Sequence, residues 1–144
     1  MFCVQTAAFA TPKVGDYAQY QLNIQNGSNS MDLTLIREIL NQDASGNFLV
    51  RQIIQLPDGN QQTSENIEGA DQFLNDSTID GLLANCASAG GALQTVTVPA
   101  GSFETCAVPF SNDAETGTAW IGKVSLGLVQ IQTTSKEDGT VTNG

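Results

Sequence analysis

The chain has 144 residues, with 15 acidic and 5 basic side chains and a formal net charge of −10. This length predicts one domain with a sizeable core, and the charge argues against nucleic acid or anionic lipid surfaces as partners, because both are held by basic patches. Since the chain contains no histidine, a Ser-His-Asp triad and a histidine-ligated zinc site are excluded.

The N-terminus, MFCVQTAAFA, indicates export. Ala8-Phe9-Ala10 is the small-x-small pattern that signal peptidase accepts, and the residues before it resemble the end of an apolar segment. We therefore predict that residues 1–10 are a signal peptide remnant, that residues 11–144 form one exported domain, and that the protein is periplasmic or secreted. The alternative is an ordinary apolar N-terminal strand. No other run approaches the ~20 apolar residues of a membrane-spanning helix, so no membrane span is predicted.

The first half of the exported chain predicts strands. Residues 17–24 alternate apolar and polar side chains, and the Asn-Gly pair that follows is typical of a hairpin turn. Residues 31–41 and 47–56 form a second predicted pair. Residues 61–67 pair back weakly after the turn Pro57-Asp58-Gly59-Asn60, in which proline presets φ and glycine accepts the left-handed conformation.

A helical pattern interrupts the strands. Apolar side chains recur at the spacing of one helix face, at Ile79, Leu82, Leu83 and Cys86. Ser77 is followed three residues later by Asp80, which resembles a capping box, so we predict that the main helix begins at Ser77.

Strands resume after the helix, at residues 92–99, 102–110, 117–122 and 126–134. Asp138-Gly139 predicts a last turn, and we expect the strand that returns from it to be cut short. The predicted fold is a β-rich α+β domain. It has a curved antiparallel sheet of about eight strands, with a helical insert near residues 70–87 that covers one sheet face and closes the core.

Two cysteines, Cys86 and Cys106, remain when the segment containing Cys3 is removed. An even number of cysteines in an oxidising compartment favours a disulfide, which would hold the helix end on the strand after the Pro99-Ala100-Gly101 turn. Two unpaired buried thiols are the alternative. A redox site is disfavoured because there is no C-x-x-C spacing. Lipid attachment at Cys3 is disfavoured because the preceding residue, Phe2, is not small.

Three segments carry a recurring pattern: KVGDYAQYQL (13–22), VTVPAGSFETCAV (96–108) and GTAWIGKVSLGLVQIQT (117–133). Together they resemble a set of bacterial exported proteins of unknown function with V-P-A-G-x-F and W…G-L-V motifs. That set is similar in fold to the periplasmic lipoprotein-carrier superfamily, whose curved half-barrel wraps helices and shelters acyl chains. The resemblance implies a half-barrel with the helical insert on its concave face, and an exported location. It implies lipid handling only by analogy of fold, and it brings no catalytic residue.

Large apolar side chains are the candidate ligand-binding residues. We expect a cleft between sheet and helix, lined by Trp120, Phe103, Phe110, Leu82 and Leu83. The alternative for Trp120 is a core position, with its ring N–H donated to a backbone carbonyl.

The sequence predicts no enzyme, metal site or cofactor. The carboxylate pairs Glu65 with Glu68, and Glu104 with Glu115, are better explained as parts of a solvated acidic face than as acid–base groups. The predicted function is non-catalytic: binding or carrying a hydrophobic ligand such as lipid between sheet and helix. The alternative is an envelope interaction or structural protein with a filled core, because side chains that line a cavity and side chains that fill a core share one periodicity.

Overall fold

The structure is a computed structural model that describes residues 12–144. The predicted cleavage after Ala10, and Cys3, lie outside the described residues. The described chain forms one antiparallel sheet of nine strands that does not close into a barrel, with a short helix in an insert. The predicted curved sheet with a helical insert is therefore confirmed. No helix within residues 12–144 is long and apolar enough to cross a membrane.

The elements follow one another in this order: β1 (Tyr17–Asn26), β2 (Asn29–Gln42), β3 (Phe48–Gln55), β4 (Gln61–Glu68), a 3-10 helix (Ala70–Gln72), α1 (Asp76–Ala84), β5 (Ala92–Val98), β6 (Gly101–Ser111), β7 (Glu115–Gly122), β8 (Leu128–Ser135) and β9 (Val141–Asn143). The eight predicted strands are all present, and the short β9 is the returning strand expected after the Asp138-Gly139 turn.

The sheet is built from two meanders that meet through β9. The strand order is β4-β3-β2-β1-β9-β8-β7-β6-β5. Tight turns make the neighbouring strands pair, as at the β1–β2 hairpin, where Gly27 has a φ of 58° that glycine adopts without a Cβ clash. Because β4 and β5 are the two outer strands, the insert between them must pass from one edge of the sheet to the other.

Asn75 begins the helix of the insert. Its side-chain oxygen accepts a hydrogen bond of 2.8 Å from the backbone N–H of Thr78, so α1 starts at Asp76. The predicted start at Ser77 is wrong by one residue, because asparagine and serine are comparable N-caps and here the asparagine makes the bond. Ile79 of α1 is 2 % exposed and lies beside Gly127 in the β7–β8 loop.

The core on the inner, concave face combines the sheet with two covering segments. Ile39, Phe48 and Val50 are buried on β2 and β3, and Phe73 of the insert and Leu126 of the β7–β8 loop pack against them. The rings of Phe48 and Phe73 meet edge to face with centroids 5.2 Å apart, a favourable aromatic geometry. The insert is therefore held on the inner face by apolar contact.

The predicted disulfide between Cys86 and Cys106 is confirmed. Their Cα atoms are 5.6 Å apart, and Cys106 is fully buried on β6. The bond ties the chain just after α1 to the inner face of the sheet. Gly91 passes so close that a Cβ there would lie 2.7 Å from the sulfur of Cys106, so this approach requires glycine.

Candidate functional site

A cavity of about 380 Å³ lies between the first half of β1 and the start of β8. We term it the β1/β8 cavity. Four segments and the last residue form its walls: residues 17–21 of β1, the β5–β6 hairpin (Val98 of β5, Pro99 and Ala100 of the turn, Phe103 of β6), the β7–β8 loop (Val124, Ser125), the start of β8 (Leu128, Val129) and Gly144. Its volume is within the range of small-molecule sites, ~300–1,000 Å³.

β9 and Gly144 border the β1/β8 cavity at one end. β9 pairs with Asn23–Gln25 of β1 and with Gln132–Thr134 of β8, and Gly144 extends the ladder to Ile131. On the side of β1 away from β2, no described residue pairs with residues 17–21. The first half of β1 and the start of β8 form two walls of the cavity.

The lining of the cavity carries no charged side chain. Apolar groups from the β5–β6 turn and from β8 make up much of it, with the glutamines of β1 at its edge. The hydroxyl oxygen of Ser125 is buried in this wall and has no hydrogen-bond partner within the described part of the chain. Because buried polar groups normally have a partner, this hydroxyl suits an occupant that brings a polar group.

Tyr20 adds a phenol to the wall of the β1/β8 cavity. Burial raises the pKa of Tyr20 to about 12, because the apolar surroundings disfavour the phenolate, and the positive charge of Arg37 opposes the shift only in part. Tyr20 is therefore neutral near pH 7, which keeps this wall uncharged. Its neighbour in the lining, Tyr17, is 62 % exposed.

Arg37 also joins the insert to β2. Its guanidinium donates hydrogen bonds of 2.7 and 2.6 Å to the two carboxylate oxygens of Glu68, and its Cζ lies 5.9 Å from the centre of the Phe73 ring. Glu68 is thus half-buried and paired, not part of a freely solvated face. Glu65, the other member of the predicted acidic pair, accepts a 3.1 Å hydrogen bond from Arg51.

The five predicted ligand-binding residues occupy different places. Phe103 lines the β1/β8 cavity, and with Leu83 it also lines a second cavity of about 310 Å³ that has the charged walls Asp80, Glu104 and Lys123. Leu82 is half-buried on α1. Phe110 is half-buried near Gly117 on β7.

Trp120 lies on β7 and lines neither of these two cavities. Its ring N–H donates a 2.7 Å hydrogen bond to the side-chain oxygen of Gln94, not to a backbone carbonyl. Its neighbour Ile121 pairs with Cys106, so alternation puts Trp120 on the opposite face from Cys106. A ligand-binding role for these residues stays a prediction.

Sequence reasoning did not single out Tyr20, Ser125 or Val129 as site residues. The alternation of residues 17–24 predicts which sheet face Tyr20 lies on. It does not predict that residues 17–21 of β1 pair with β2 but not with β9.

Comparisons with known proteins complete the description of the fold. No protein-family model matches the chain, and no curated protein matches it. Among solved structures, it is similar to the crystal structure of MucB in complex with MucA(peri), with a TM-score of 0.43 and 12 % identity over 89 % of this chain and 47 % of that chain. The chain thus spans about half the length of that protein. The strand order by itself establishes the open, antiparallel half-barrel architecture.

Proposed function

We propose that this protein is an exported, non-catalytic binding protein that holds an apolar ligand in the β1/β8 cavity. The observation that supports the proposal is the cavity itself, which has a volume of about 380 Å³ and no charged side chain in its lining. Sites of this size that are lined mainly by apolar and aromatic side chains, with a few polar groups, are typical ligand sites.

The proposed site lies in the sheet and not under the helix. On the inner face, Phe73 and Leu126 pack on the buried residues of β2 and β3, and Ile79 of α1 is buried beside the β7–β8 loop. These contacts use the apolar face of the insert to build the core. The β1/β8 cavity is therefore the better candidate for a hydrophobic ligand such as a fatty acid.

Two further parts of the proposal rest on residue types. The non-catalytic assignment rests on the absence of histidine from the sequence and on a lining whose titratable groups are two tyrosines. Export is supported by the Ala8-Phe9-Ala10 pattern and by the Cys86–Cys106 disulfide, since disulfides persist mainly in oxidising compartments.

Titration with a fluorescent fatty acid tests the proposed site. Phe103→Ala removes an aromatic wall of the cavity and should weaken binding by about tenfold or more, because a buried phenylalanine contributes about 1.5–3 kcal/mol of apolar contact. Phe110→Ala is the matched control, because Phe110 is half-buried on the same strand and does not line the cavity. An equal loss in both variants, or no binding by the unmodified protein, would contradict the proposal.

A second function, interaction with an envelope protein, is favoured by one specific observation. The two outer strands of the sheet, β4 and β5, each have one edge that pairs with no other described strand. Such an edge is able to pair with a strand from another polypeptide.

A further inference from the structure

We infer that the outer edge of β5 pairs with β5 of a second copy of this chain, so that two sheets join across a two-fold axis at Thr95. The inference deepens the second function proposed above, because it names the strand and the partner. It does not use the β1/β8 cavity. Four features carry it: the exposure of β5, its lack of charge, the direction of its backbone groups, and one register that fits.

The outer edge of β5 is accessible. Among the described strands, β5 pairs with β6 alone. The side chains of Leu93, Thr95 and Thr97 are exposed, and Leu93 is 57 % exposed although it is large and apolar. A strand edge with exposed apolar residues is a template for pairing with another chain.

The two outer strands of the sheet differ in charge. β4 carries Glu65 and Glu68, and charged residues are one of the means by which proteins stop an edge strand from pairing. β5 has the sequence ALQTVTV, which contains no charged residue and no proline. Its ladder with β6 also runs through all of these residues without a register shift. β5 is therefore the edge that favours pairing.

The backbone of β5 presents alternate residues to the open edge. The hydroxyl of Thr105 on β6 donates a 2.8 Å hydrogen bond to the carbonyl of Gln94, so the backbone groups of Gln94 point toward β6. In an antiparallel ladder the direction alternates from one residue to the next. Leu93, Thr95 and Thr97 therefore point their N–H and C=O groups away from β6. Within residues 12–144, no backbone hydrogen bond reaches these three residues from that side.

A two-fold axis at Thr95 pairs these three residues among themselves. Thr95 then faces Thr95 of the second copy, and Leu93 faces Thr97 on both sides of the axis. Each pair exchanges two backbone hydrogen bonds. The threonines that face each other at the axis are also a favourable cross-strand pair.

Other positions of the axis fit less well. An axis nearer the start of β5 brings Gly91 into the ladder, but the N–H of Gly91 already donates a 2.9 Å bond to the carbonyl of Cys86. An axis nearer the end of β5 brings in Pro99, which has no N–H to donate. The register is therefore set by the residues on both sides of β5.

The symmetry of this contact gives a closed dimer. A β5–β5 pairing uses the same strand of both copies and leaves the charged β4 at the two ends of the joined sheet. A β5–β4 pairing would repeat from copy to copy without closing. It would also place Glu65 and Glu68 beside an uncharged strand.

The charges of the two copies permit this contact. The charged residue of the adjoining strand is Glu104 on β6, which pairs with Thr95. In the joined sheet the two Glu104 side chains are three strand spacings apart, about 14 Å, which exceeds the Debye length of about 8 Å at physiological ionic strength. Since each chain has a net charge of −10, added salt should strengthen the dimer, whereas it would weaken the binding of a basic partner.

Sedimentation velocity of the full chain tests the inference. We expect a monomer–dimer equilibrium between about 1 μM and about 1 mM protein, because small interfaces bind weakly. The backbone amides of Leu93, Thr95 and Thr97 should exchange hydrogen more slowly at the high concentration than at the low one. The amides of Gln94 and Val96 point toward β6 and are the internal control, with the same exchange at both concentrations.

A charged variant tests the position of the axis. Thr95→Lys puts two lysines opposite each other at the axis and should weaken the dimer by about tenfold or more, because like charges in contact are unfavourable. Thr116→Lys is the matched control, because Thr116 is an exposed threonine on β7, between β6 and β8, and the change in net charge is the same. Thr95→Val keeps a β-branched residue and should dimerise like the unmodified protein. Equal dimerisation of the two lysine variants contradicts the inference.

The remaining outcomes separate this inference from the proposed ligand site. A monomer at every concentration overturns the inference, and the fatty acid titration still tests the β1/β8 cavity. If the three outer amides of β5 are already protected in a monomer, residues outside the described range cover the edge and the second-copy inference is wrong. Protection that requires an extract of envelope proteins from the host overturns the second copy as the partner and supports the second function.

Discussion

Tyr20 shows, at the scale of single residues, how the β1/β8 cavity affects stability. Its pKa is raised to about 12 by burial, above the ~10 of an ordinary phenol. The folded state therefore holds the phenolic proton more tightly than the unfolded state does. The stability that the neutral phenol contributes is fully present below about pH 10 and is lost as the pH rises through about 12.

Tyr20→Phe tests this assignment. The unmodified protein should lose stability between about pH 10 and 12, and the variant should lose less, because phenylalanine has no proton to release. Chemical denaturation at several pH values measures the free energy of unfolding of both proteins. Both contain the same lysines, so the effect of lysine titration cancels in the difference between the two free energies.

A direct titration serves as the control for this prediction. Since the chain has two tyrosines, Tyr17→Phe leaves Tyr20 as the remaining phenol. Its ultraviolet absorbance should then show a phenolate midpoint near 12. A midpoint near the ordinary value of about 10 would show that Tyr20 is solvated.

Contacts between particular residues were predictable from the sequence only where they follow from the number of cysteines or from neighbouring residues in the chain. The Cys86–Cys106 bond followed from an even cysteine count and a predicted export signal. The Arg37–Glu68 pair did not, because its members are 31 residues apart and lie on β2 and β4, which do not pair with each other. In the sequence, Glu68 resembles any other surface acid.

At the scale of elements, α1 and its disulfide attach the insert to the sheet. Ile79 is the buried residue of α1, whereas Leu82 and Leu83 are half-buried. The apolar residues predicted to lie on one helix face are therefore at least partly buried, but Ile79 contributes more to the core than Leu82 and Leu83 do.

Ile79→Ala should lower the free energy of unfolding by about 2–5 kcal/mol, as a large-to-small change in a core does. Leu82→Ala should cost clearly less, because part of that side chain already meets water. Thermal or urea denaturation measures both. Equal and small effects at the two positions would mean that α1 does not pack on the β7–β8 loop.

Removal of the Cys86–Cys106 disulfide tests how much this bond contributes to holding the insert on the sheet. Replacing both Cys86 and Cys106 by serine should lower stability by roughly 3 kcal/mol, the value that chain-entropy models give for a loop of this size. Neither cysteine lines the β1/β8 cavity, so ligand affinity should be retained in the folded variant. Unchanged stability after the bond is removed would contradict this role.

The elements themselves were largely predictable, because helix and strand periodicities are local properties of the sequence. The eight longer strands and α1 follow the alternation and the i, i+3, i+4 pattern. β9 was expected as the strand that returns after the Asp138-Gly139 turn, but its bounds were not predicted, because this three-residue strand is defined by pairing with Asn23–Gln25 and Gln132–Thr134. Such a strand has no periodicity of its own.

At the scale of the whole molecule, the β1/β8 cavity lies where the two meanders of the sheet meet. Two meanders are joined through a strand that is shorter than both of its neighbours. The insert and the β7–β8 loop fill the inner face, and the space remains beside β1. The sequence predicts the curved sheet with a covering helix, which the structure confirms, whereas the predicted cleft between sheet and helix and the proposed β1/β8 site are two different places, and local periodicity does not distinguish between them.

The central claim is that the β1/β8 cavity is a binding site. Native mass spectrometry of the protein purified from its host tests it most directly. We predict a non-covalent adduct on the unmodified protein and on Phe110→Ala, and a marked loss of that adduct in Phe103→Ala. The bare protein mass in every sample, or an adduct that Phe103→Ala retains in full, would contradict the account.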